Sequence, residues 1–130
     1  MFARALFALL LCIDASSARE QHLRIVGTAG YLSEWELNAE VAPQPGGSGQ
    51  AFSGSVRMKH VGLCTVNGPV EKSGKLTLQM NQSAVSSRLQ AVLSLDDGDR
   101  CSYVGPWSGR STGTMDCSGG KGIPLTLSVD

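Results

Sequence analysis

After about residue 22 the chain is dominated by a two-residue alternation of apolar and polar side chains. In Tyr31–Val41 the odd positions read Tyr31, Ser33, Trp35, Leu37, Ala39 and Val41, and the even ones Leu32, Glu34, Glu36, Asn38 and Glu40. One face is largely apolar and the other largely charged, as in an antiparallel strand with one face buried and one wet. The same period places Phe52, Gly54, Val56, Met58 and His60 on one face, opposite Ser53, Ser55, Arg57 and Lys59. Further inward sets are Leu76, Leu78, Met80; Leu89, Ala91, Leu93, Leu95; Cys101, Tyr103, Gly105; Gly113, Met115, Cys117; and Ile123, Leu125, Leu127, Val129. Leu23–Val26 adds a short leading strand.

Between these sets lie strong turn sequences: PQPGGSGQ at 43–50, NGPVEKSG at 67–74, DDGD at 96–99, GPWSGRSTG at 105–113 and SGGKG at 118–122. The pattern predicts seven or eight short antiparallel strands and no helix. Such strands bury one face against each other in a closed up-and-down barrel or in a two-sheet sandwich. Hairpin-length connections favour an all-β, single small up-and-down barrel, and sixteen glycines supply the bends and bulges that closure needs.

The first residues change the picture from fold to compartment. Arg4, the apolar run Ala5–Ile13 and the small residues Ser16 and Ala18 form a secretory signal peptide over residues 1–18, leaving residues 19–130 as one all-β domain. The apolar run falls short of the roughly 20 residues that cross a bilayer. Leu11 before Cys12 is too large for lipid modification at that cysteine. Eleven basic and eleven acidic residues balance without a run of like charge. That balance argues against nucleic acid or an anionic membrane as partner. The expectation is a secreted or periplasmic protein without stable membrane insertion.

Export puts the cysteines under oxidising conditions. With a turn centred near Gly109, Cys101 and Cys117 stand opposite each other on the inward parity. Directly opposed Cβ atoms lie about 4.5 Å apart, close to disulfide geometry. A Cys101–Cys117 bridge is therefore the first reading. A bridge from Cys64 to either of them is the alternative. In a simple meander Cys64, Cys101 and Cys117 gather at one rim, with His60 just below. This permits a third reading, a tetrahedral His60, Cys64, Cys101, Cys117 metal site.

Other chemistry is sparse. Asp96, Asp97 and Asp99 read as a solvated turn, since no calcium-loop ligands follow. Asn81–Ser83 is an N-glycosylation sequon in a eukaryotic host. No nucleophile elbow, metalloprotease or phosphate-loop motif occurs, and His60 is the one histidine placed to act as a base. Trp35, Trp107 and Tyr103 are the candidates for contact with a ligand or partner, through rim loops at Pro43–Gln50, Asn67–Gly74 and Gly105–Gly113.

The short-strand pattern behind an export signal resembles small exported barrels such as the avidin and lipocalin-like families and periplasmic lysozyme-inhibitor barrels. Gly30 and Trp35 are too far apart for the lipocalin G-x-W motif, and the paired tryptophans of avidins are missing. The expected function is an exported binding or interaction module without catalysis or cofactor. Its partner would be a small molecule or an envelope or extracellular protein. The alternative is a metal- or thiol-active protein using the Cys/His rim.

Overall fold

The computed structural model describes residues 22–44, 50–61, 70–82 and 85–130. The signal-peptide segment and Cys64 lie outside the described residues. Eight strands follow in chain order: β1 (Leu23–Ala29), β2 (Trp35–Pro43), β3 (Ala51–His60), β4 (Glu71–Gln82), β5 (Ser87–Leu95), β6 (Arg100–Pro106), β7 (Arg110–Cys117) and β8 (Gly120–Val129). Each pairs antiparallel with the next, and β1 also pairs with β8, so the sheet closes into an up-and-down barrel. The sandwich alternative is thereby set aside. Closure runs through the leading strand, which extends three residues past Val26 and carries a ladder on each edge.

The alternation explains why closure is stable. Ile25, Leu37, Val41, Leu76, Leu78, Leu89, Leu93, Leu125 and Leu127 all point inward and are buried almost completely. An eight-stranded barrel is just wide enough for side chains to fill it. The outward positions are mostly Ser, Thr, Asn, Gln and charged residues, the reverse of a barrel that faces lipid.

Two fully buried inward residues carry hydroxyls and satisfy each other. Tyr103 Oη and Ser111 Oγ hydrogen-bond at 2.6 Å across β6 and β7, both buried. The Tyr103 ring lies over Gly105 and Gly113, where a Cβ at Gly105 would meet the phenol oxygen at 2.2 Å. Tyr103 is a core residue and not a contact residue at the surface.

The strand boundaries differ from the sequence reading in three places. The alternation from Tyr31 continues into the β1–β2 hairpin, where Gly30 at φ 102° and Ser33 at φ 52° turn the chain, so β2 starts at Trp35. β4 starts at Glu71, not near Leu76, because Lys59↔Glu71 and Met58↔Lys72 continue the ladder with β3. Only residues 107–109 connect β6 and β7, so most of Gly105–Gly113 is strand and not rim loop.

Candidate functional site

The up-and-down order puts the β1–β2, β3–β4, β5–β6 and β7–β8 connections at one end of the barrel. Backbone bonds knit these connections together: Val61 N–H donates to the Glu34 carbonyl at 2.7 Å and Asp96 N–H to the Ser73 carbonyl at 2.8 Å. The other end carries the β2–β3, β4–β5 and β6–β7 connections. Trp35 stands at the first end and Trp107 at the second, so the two tryptophans do not share a mouth. Trp107 is half-buried against the core, and its backbone N–H donates to the Ser87 carbonyl at 3.0 Å. Pro43 and Gln50 also belong to the second end.

The first end is chemically the richer. Trp35 and His60 are register partners on β2 and β3, and their rings meet edge-to-face with centroids 4.8 Å apart. The Nδ1 of His60 is buried and has no hydrogen-bond partner among the described residues. Lys72 occupies the inward parity of β4. Its Nζ lies 5.3 Å from the Trp35 ring centroid and 3.1 Å from Asp97 Oδ2. The apolar alternation does not reveal Lys72, because a charged side chain at a strand end interrupts the pattern used to find the strand. Its only sequence signal is its parity with Leu76 and Leu78.

The DDGD turn is built for its place beside Lys72. The Asp97 carboxylate accepts the Asp99 N–H at 2.9 Å and pairs with Lys72. Those two bonds, the backbone one first, hold its pKa below the usual aspartate value. At the β1–β2 hairpin the Glu34 carboxylate accepts its own N–H and that of Leu32, the latter at 2.9 Å, and is likewise shifted down. Asp99 differs from both: no hydrogen bond or ion pair engages its carboxylate among the described residues.

The disulfide links Cys101 and Cys117, register partners with Cα atoms 3.9 Å apart. The pairing expected from the Gly109-centred turn is the one present. It also bears on the metal reading. Asp99, Cys101 and Cys117 do bring ligand atoms within 4.8 Å of one another. A sulfur bonded to its neighbour is no thiolate, however, and cysteine ligates zinc as the thiolate. With the bridge made, the His60, Cys64, Cys101, Cys117 set loses two of its four ligands.

Together these residues line a cavity of about 90 Å³ opening at the first end. Met58, Leu93, Leu95, Met115 and Ile123 form an apolar floor; Trp35 and the disulfide form walls; Lys72 and Asp99 mark the lip. Of the seven exposed large hydrophobic residues among those described, four sit on the connections at this end: Tyr31 (73 %), Leu32 (89 %), Val61 and Val70. Such clustering at a mouth is the kind of surface that marks a contact site. A larger outer groove of about 800 Å³ runs over Gly74, lined by Arg24, Asn38, Glu40, Ser55 and Arg57. It is an open, mostly polar valley with charges of both signs, so the more enclosed and predominantly apolar mouth is the stronger candidate.

No family model matches the chain, and no curated protein matches it in sequence. Among solved structures, a de novo designed fluorescence-activating β-barrel is similar: 15% identity over 91% of this chain and 99% of that one, with a TM-score of 0.45. At that level the likeness adds nothing to what the chain's own strand ladders establish.

Proposed function

We propose that this protein is an exported, non-catalytic binding module that receives a small apolar group at its disulfide-walled mouth. The observation that carries the reading is the size and lining of the cavity. Pockets for drug-sized ligands run to roughly 300–1,000 Å³, and an apolar cavity of about 150 Å³ holds a benzene. A space of about 90 Å³ suits a group of a few carbons, such as one side chain. The barrel interior below is filled, which speaks against a carrier that engulfs its ligand. An interaction module anchored by one side chain, with Tyr31, Leu32, Val61 and Val70 widening the contact, fits both facts. An intramolecular disulfide is compatible with export into an oxidising compartment.

Single-tryptophan variants test this reading. In Trp107→Phe, where Trp35 is the sole tryptophan, isobutanol is expected to shift and quench the emission saturably. In Trp35→Phe the remaining Trp107 is expected to report no saturable change. An unresponsive Trp35, or equal responses from both, would overturn the reading.

A further inference from the structure

We propose that the group received at the mouth is a basic side chain, Lys or Arg, of a protein partner. Its aliphatic stem would fill the cavity and its charge would meet Asp99. This rests on the binding-module reading and adds the chemistry of the anchor.

Three features of the mouth point the same way. Inside, the floor of Met58, Leu93, Leu95, Met115 and Ile123 is apolar, and its space of about 90 Å³ is below the roughly 150 Å³ that holds a benzene ring, a size that suits a methylene stem. At the lip the charges do not balance. Among the described residues Lys72 is the single cation lining the cavity, and it is committed to Asp97 at 3.1 Å. Glu34 is committed to backbone N–H groups. That leaves the Asp99 carboxylate, on the cavity wall, with no partner among the described residues. A carboxylate beside an apolar slot complements a cation on an apolar stem, and it repels an anion or leaves a neutral group unrewarded.

Lys72 supplies the third feature, because its own side chain already adopts this arrangement. Its ammonium lies near the Trp35 ring and ends on a carboxylate of the DDGD turn. An incoming base would repeat that geometry on the neighbouring carboxylate. Long basic side chains bury their stems along apolar surface while their heads stay wet, so a partly open mouth costs little desolvation.

The test uses n-butylammonium, n-butylguanidinium, n-butanol and butyrate as probes, followed by the methyl resonances of Met58 and Met115 and the indole resonance of Trp35. The two cations are expected to bind tightest and butyrate weakest. Added salt should weaken the cations and leave butanol unchanged. Asp99→Asn should weaken n-butylammonium about fivefold, the effect of losing one charge-assisted contact at a partly wet site, and leave butanol unaffected. Lys72→Met acts in the opposite sense, since it frees Asp97 and removes a competing cation: n-butylammonium should then bind tighter. Because Asp99 has no partner to lose, the asparagine variant should keep its fold, checked by its thermal midpoint. Butanol binding as well as the cations, or an Asp99→Asn variant indistinguishable from the parent, would overturn the cation assignment while leaving an apolar mouth. No perturbation of these three residues by any probe would overturn both.

Discussion

Replacing Cys101 and Cys117 together by alanine is expected to lower the unfolding free energy by about 3 kcal/mol, with the loss concentrated at one seam. The magnitude follows from the chain-entropy model for a bridge across a sequence separation of 16. The location follows from the ladders. The β2–β3, β3–β4 and β4–β5 pairs each carry nine register partners, whereas β6 and β7 share three: Cys101↔Cys117, Ser102↔Asp116 and Tyr103↔Met115. Above Met115 this seam is held by the Tyr103–Ser111 hydrogen bond, with the tyrosine ring lying over Gly105 and Gly113. The disulfide therefore staples the shortest join in the barrel at the end where the mouth opens. Urea denaturation gives the free-energy change, and hydrogen exchange gives its place: amides of β6 and β7 should lose protection first. A double-alanine variant as stable as the parent would show that the bridge contributes nothing there.

Gly54→Ala is expected to cost a comparable 3 kcal/mol or so, through steric strain. Gly54 faces inward between Phe52 and Val56, opposite Val41 of β2 and Leu76 of β4. A Cβ there would lie 1.8 Å from the Glu40 carbonyl oxygen and 2.9 Å from the Val41 Cα. Both are backbone atoms, so no rotamer change relieves the clash and β2 must move away from β3. Overpacking that flexible side chains can absorb costs roughly 1–3 kcal/mol, and a backbone clash belongs at the upper end. For a domain of this size the midpoint should fall by on the order of 10–20 °C. Gly119, with no atom within 4 Å of its notional Cβ and no positive φ, is the control. Gly119→Ala should be nearly neutral. Equal midpoints for the two variants would contradict the close approach of β2 and β3.

The sequence made some parts of this molecule legible and hid others for physical reasons. Period-two alternation identifies strands wherever one face is apolar, which is why Leu37–Val41 and Leu89–Leu95 are found without error. The same rule fails at strand ends. It carries Tyr31 and Ser33 into β2 because the hairpin happens to keep the parity, though Gly30 and Ser33 turn the backbone there. It puts Lys72 in a loop because a lysine facing inward looks polar, although pairing with Met58 makes it strand. Ser111 escapes the pattern in the same way, its burial depending on a tyrosine eight residues away. The Cys101–Cys117 pair was legible because a hairpin about Gly109 fixes which residues oppose each other. Closure is favoured by the hairpin-length connections and is present, but the pairing of β1 with β8 that completes it is a contact no local pattern encodes.

The candidate site was legible only in part. Trp35, His60, Cys101 and Cys117 were singled out and do gather at one end. Trp107 stands at the other end, and Tyr103 is core. The cavity itself depends on Met58, Leu93 and Met115, which read in sequence as ordinary core residues.

The central claim, that the disulfide-walled mouth receives a small apolar group, is tested most directly by a titration with isobutanol in methionine-methyl NMR. Three methionines in the strands report on place: Met58 and Met115 line the cavity, while Met80 lies toward the opposite end of the barrel. The account predicts saturable shifts of Met58 and Met115 with Met80 unmoved, and loss of the shifts when Met115→Phe fills the space. Shifts that never saturate, or that appear equally at Met80, would contradict it.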